Sequence, residues 1–121
     1  MAFESPDSSW IYYDKFGQEG IWKIPLNGGE ETKVVDEVRS GFWAMANEGL
    51  FLLLPETKEG PTIKFFDFTT RKLVTIMMLR DYFAASSLFD NGLDVTADGS
   101  WITFSITEFP ESSLVMVENF R

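Results

Sequence analysis

The chain contains no cysteine and no histidine. Ser-His-Asp and Cys-His nucleophilic catalysis therefore have no base within it. Zinc sites built on Cys or His are excluded for the same reason. No disulfide can form, so cysteine usage says nothing about redox compartment. Long apolar runs are also missing. The longest, "LFLLLP" and "LVTIMML", have strand length and fall far short of a membrane span. Positive charge is scarce: 10 Lys and Arg against 19 Asp and Glu give a net charge of −9. Such a chain repels a phosphate backbone and an anionic membrane surface, so neither nucleic acid nor membrane is an expected partner. The opening "MAFESPDSSW" has no basic region followed by an apolar run, so no signal peptide is expected there. A cytoplasmic location is the default expectation, and a piece of a longer exported chain is the alternative.

What is present is aromatic and β-branched. Hydrophobic residues make up 45% and aromatics 16%, too rich for a disordered chain. At 121 residues the sequence suits a single domain with a modest core dominated by aromatic packing. Its apolar stretches are short and separated by Gly, Pro, Asn, Asp or Thr, among them "WIYYD", "GIWKIPL", "TIKFFDF" and "WITFSIT". That spacing predicts an all-β architecture. The one candidate helical turn lies in "LRDYFAASSLFD", residues 79–90. "LFLLL" and "VTIMML" are apolar at successive positions, which implies strands covered on both faces.

The sequence repeats itself. "DSSWIYY" at 7–13 lines up with "NEGLFLL" at 47–53 and "DGSWITF" at 98–104. "GIWKIPL" at 20–26 lines up with "TIKFFDF" at 62–68 and "SLVMVEN" at 113–119. A short strand precedes each unit ("AFES", "FWAM", "LDVT"), and the first two add a fourth, "ETKVVDE" and "KLVTIMM". Four strands per repeat of about 40–50 residues is the pattern of β-propeller blades. The expected fold is a partial β-propeller of about three four-stranded antiparallel blades, the last incomplete. The units are approximately 1–38, 39–79 and 91–121, with 80–90 an inserted loop.

The turn "SPDSS" uses Pro6 to preset φ and Asp7 to accept a hydrogen bond from the backbone; "TADGS" repeats it with Asp98 and Gly99. Gly99 can take a positive φ freely, whereas Ser8 in the first copy must carry strain or change the turn. "LNGGE" at 26–30 is a further hairpin signal. A cation site on Asp7, Asp90, Asp94 and Asp98 is the functional alternative, but "DNGLDVTADG" does not fit a calcium-loop pattern, so no metal is expected. Trp10 and Trp101 open equivalent strands, with Leu50 in that place in the second copy. Recurrence at equivalent positions favours a structural role. Trp22 and Trp43 lack aromatic counterparts in every copy, which leaves them as candidate ligand- or partner-binding residues against a competing role in the core.

No G-x-S-x-G, P-loop, dinucleotide fingerprint or N-x-[ST] site occurs. Acidic residues fall in turns and charge-mixed loops such as "GGEETK" and "PETKEG", the pattern of solvated edges. A carboxylate-dependent hydrolase or lyase is the weakest reading. The chain is expected to be no enzyme and to need no cofactor.

The stretch "SPDSSWIYY…GIWKIPLNGGEETKVV" resembles the WD40-like, TolB-type β-propeller repeat, which runs from a Ser-Pro-Asp-Gly turn through an aromatic strand to Ile-Trp and a Gly-Gly pair. The end, "TADGSWITFS…SSLVMVENFR", looks like the closing repeat of TolB-like propellers that follow a DNA-binding domain in some bacterial regulators. The resemblance implies rings of roughly six or more blades with roles in protein contact rather than chemistry. No catalytic residue of the family has a matching position here. Three units against a fuller ring imply pairing, either with a second copy as a homodimer or with another protein. The alternative is an orphan piece of a larger sensor or regulator propeller with no independent activity.

Overall fold

The computed structural model describes residues 1–38, 41–54, 62–78, 93–108 and 111–118. The candidate helical turn and inserted loop over 79–90 lie outside the described residues. Everything regular among the described residues is strand. The chain divides into two compact units, Met1–Gly41 and Phe42–Arg121.

The first unit is one antiparallel sheet in sequence order: β1 (Ala2–Glu4), β2 (Trp10–Lys15), β3 (Gln18–Pro25) and β4 (Thr32–Val35). Tyr12, Ile21, Trp22, Val35 and Val38 are buried. Gly20 (φ 123°) sits where β3 and β4 approach closely: a Cβ there would stand 2.7 Å from the Val35 carbonyl oxygen. Only glycine fits. Asp14, its side chain 2% exposed, ties the unit's ends together. It accepts from the N-terminal ammonium of Met1 at 3.1 Å and from the Gly41 N–H at 2.9 Å. A buried carboxylate is tolerable when donors satisfy it in this way.

The second unit holds two sheets. One comprises β5 (Trp43–Met45), β6 (Gly49–Leu54), β7 (Thr62–Asp67) and β8 (Leu73–Met78), again in sequence order. The other comprises β9 (Leu93–Val95), β10 (Trp101–Glu108) and β11 (Glu111–Glu118), with β10 central. All six residues of β6 are buried. Phe51 and Leu53 on one face join Ala44, Ala46, Ile63 and Phe65, and Ile102 of β10 completes the cluster. The Phe51 and Phe65 rings lie 4.7 Å apart at 44°. Aromatic burial of this kind is worth about 1.5–3 kcal/mol per side chain. The two sheets are also linked at their turns, where the Asn47 N–H donates to the Ala97 carbonyl at 2.7 Å.

The strand pairings give the repeat its register. Ile11, Leu50 and Ile102 occupy one position, facing Glu4, Met45 and Val95 respectively across the first hairpin. Pro25, Asp67 and Glu118 occupy another. Trp10 and Trp101 are therefore matched by Gly49, and the alignment with Leu50 is one residue out. The reason is turn length. Four residues separate Ser5 from Trp10, whereas two separate Ala46 from Gly49, each pair closed by a backbone hydrogen bond. Gly49 is required there because a Cβ would meet the Phe66 carbonyl oxygen at 2.0 Å. A feature invisible in the sequence recurs as well. The third and fourth strands shift register at the same place in both complete sheets, between Ile21 and Trp22 and between Ile63 and Lys64. Such bulges bend and twist the outer strand.

Candidate interaction surface

Pro6, Asp7 and Trp10 belong to one hydrogen-bonded turn, and Asp98, Gly99 and Trp101 to its copy. The Asp7 carboxylate accepts from the Ser5 hydroxyl at 2.6 Å and the Ser9 N–H at 3.0 Å. Asp98 accepts from the Thr96 hydroxyl at 2.8 Å and the Ser100 N–H at 3.0 Å. The Trp10 N–H donates to Ser5 Oγ at 3.0 Å, and the Trp101 N–H to Thr96 Oγ1 at 3.1 Å. Ser8 and Gly99 hold matching left-handed conformations, with φ of 60° and 73°. These donors stabilise the charged carboxylates. The Ser5 hydroxyl bond, then the Ser9 backbone, lowers the Asp7 pKa. Ser100, through its hydroxyl and backbone, and then Thr96 bring that of Asp98 down to about 2. General acids need the opposite shift. Among the described residues no cluster of three or more Asp or Glu could hold a metal ion.

The two tryptophans raised as binding residues occupy the interior. Trp43, on β5, is fully buried, so as placed it offers no surface to a ligand. Trp22, on β3, is 7% exposed because charged side chains cover it. Lys15 Nζ lies 4.4 Å and Lys33 Nζ 5.1 Å from its ring centroid. Glu31 pairs with Lys15 and accepts from the Tyr13 hydroxyl. That bond first, then desolvation, pushes the Tyr13 phenol up to about 12. Lys15 first, then Tyr13, lowers the Glu31 pKa. The result is an aromatic face under a polar lid. Trp10 is half-buried, with Lys23 Nζ 4.1 Å from its ring centroid.

The outer strands differ in character. β4 and β8 each end their sheet. In β4 the exposed positions are Thr32 and Lys33. In β8 they include Leu73 (43%), Val74 (48%) and Met78 (48%), with Ile76 and Met77 partly buried against the core. The described part of the apolar run "VTIMML", residues 74–78, is thus not covered on both faces. It lies in β8, which among the described residues pairs with β7 alone. Phe16, in the β2–β3 hairpin beside Gly17 (φ 77°), is 99% exposed. Neither exposure was legible beforehand: an apolar strand reads alike whether it is central or at an edge.

No protein-family model matches the chain, and no curated protein does either. Solved structures do match. The crystal structure of TolB from Acinetobacter baumannii superposes over 98% of the chain with a TM-score of 0.69 and 16% identity. The structure of a TolB from Agrobacterium tumefaciens superposes over 94% with a TM-score of 0.63 and 17% identity. The fold is that of part of a TolB-like β-propeller. The chain spans 29% and 40% of those two proteins. At these identities the likeness is one of fold. The four-stranded antiparallel sheets are TolB-like blades, and β8 holds the outer position in the second. No helix among the described residues is long and apolar enough to cross a membrane.

Proposed function

We propose that the chain is a non-enzymatic protein-interaction module, a section of TolB-like propeller whose partner supplies the remaining blades. The observation behind this reading is the third sheet, which among the described residues has three strands where the first two have four, with β11 paired to β10 alone. Unpaired edges and uncovered blade faces are association sites. The partner we favour is a second copy, since two three-unit sections make a six-unit ring under the commonest oligomer symmetry. The net charge of −9 favours a polypeptide partner over nucleic acid. Of the two tryptophans, Trp22 is the one a partner reaches, by displacing Lys15 and Lys33. Depressed carboxylate pKa values at Asp7 and Asp98 argue against acid–base chemistry there.

A second reading is that the chain acts within a longer propeller and has no separate activity. The shares of 29% and 40% of the matched TolB chains favour it. Light scattering over a range of concentrations tests both. A dimer supports ring completion in trans. A monodisperse monomer removes that proposal and leaves the second.

A further inference from the structure

β4 and β8 are equivalent strands, each unpaired on its outer side among the described residues, with opposite treatment of that edge. Natural edge strands are blunted with charge, above all lysine. β4 follows that rule through Lys33, which reaches Asp36 at 3.9 Å and covers Trp22. β8 does not. Between Leu73 and Met78 it carries no charged residue, and Leu73, Val74 and Met78 are each more than 40% exposed. Two cations, Arg71 and Lys72, stand just before it. Both are exposed, and neither has an ion pair among the described residues. Arg71 is held at φ 59°, its N–H donating to the Asp67 carbonyl at 2.8 Å, so the position of its backbone is fixed by the turn.

We propose that the edge of β8 left unpaired among the described residues accepts an extended segment of another protein as a fifth strand. This rests on the protein-interaction reading and names a surface and a partner class for it. The sheet is antiparallel throughout, and an added antiparallel strand continues its hydrogen-bond pattern. Antiparallel addition sets the polarity of the partner. Its C-terminal end lies opposite the start of β8, beside Arg71 and Lys72. The partner is therefore a segment with apolar side chains at alternate positions followed by Asp or Glu. Charge complementarity with the exposed Arg71 and Lys72 selects an acidic segment as the occupant.

The test selects a phage-displayed library of random peptides of about ten residues, long enough to cover a strand of this size, on the immobilised full chain. The expected result is enrichment of peptides with alternating apolar residues and acidic residues after them. These should bind Val74→Lys and Leu73→Lys variants about tenfold or more weakly. Both substitutions are at exposed side chains, and an unchanged thermal transition confirms that each variant folds. The double variant Arg71→Glu, Lys72→Glu should select peptides ending in basic residues instead. No enrichment, binding indifferent to the edge substitutions, or acidic residues placed before the apolar ones overturns the proposal. So does a dimer that Val74→Lys abolishes, since the occupant is then a second copy. Assembly that persists in Val74→Lys while peptide selection fails removes the edge proposal alone and leaves ring completion standing.

Discussion

Replacing Ser8 by glycine should stabilise the protein. Ser8 is held at φ 60°, a left-handed conformation in which its Cβ crowds the following carbonyl. That conformation costs a non-glycine residue about 1–2 kcal/mol. Glycine removes the cost but gives back about 0.5–1 kcal/mol through the greater freedom of the unfolded chain. The side chain itself loses nothing: it is exposed, and its hydroxyl has no partner among the described residues. The net expectation is a gain of about 0.5–1 kcal/mol, or about 2–5 °C in Tm for a chain of this size. Urea and thermal unfolding read it directly. Ser8→Ala is the control, because it keeps a Cβ at the same φ and should gain nothing. Gly99 occupies the matching position at φ 73°, so Gly99→Ser should shift stability the other way. If Ser8→Gly is no more stable than Ser8→Ala, the turn does not hold the strained conformation and the equivalence of the two turns fails.

Gly49→Ala should be among the most damaging single substitutions, costing about 3 kcal/mol in a denaturant titration. Its Cβ would collide with the Phe66 carbonyl oxygen at 2.0 Å and Phe65 Cζ at 2.6 Å. Asp98 titrates at about 2, below its ordinary 3.8, so its contribution to stability is complete above about pH 4 and lost as pH falls through about 2. Asp98→Asn should flatten the fall in Tm across that window. Tyr13 titrates at about 12 rather than 10, so the stability it contributes is present below pH 10 and lost as pH rises through about 12. Phenolate absorbance should show a late titration that Glu31→Gln moves back toward pH 10.

By itself the sequence determined the local structure. Short β-branched and aromatic runs between turn residues specify strands through side-chain spacing and turn chemistry, and both are local properties. The four-strand repeat followed from the same spacing, as did the Ser-Pro-Asp and Ala-Asp-Gly turns, where a side chain bonds to a backbone two residues away. The resemblance of "GIWKIPLNGG" to a TolB-type repeat pointed to the fold that the solved structures share. The second copy misled by one residue at Leu50 because turn length is not written in the apolar pattern. It shows only in which residues face each other, Gly49 with Asp67 and Leu50 with Phe66. The tertiary structure decided burial and edges. Trp22 and Trp43 look equally available in sequence, yet one lies under two lysines and the other is sealed. "LFLLL" and "VTIMML" read alike, yet among the described residues β6 pairs on both sides and β8 on one. Whether an apolar strand is core or docking edge depends on what pairs beside it, and that is a property of contacts distant in the chain.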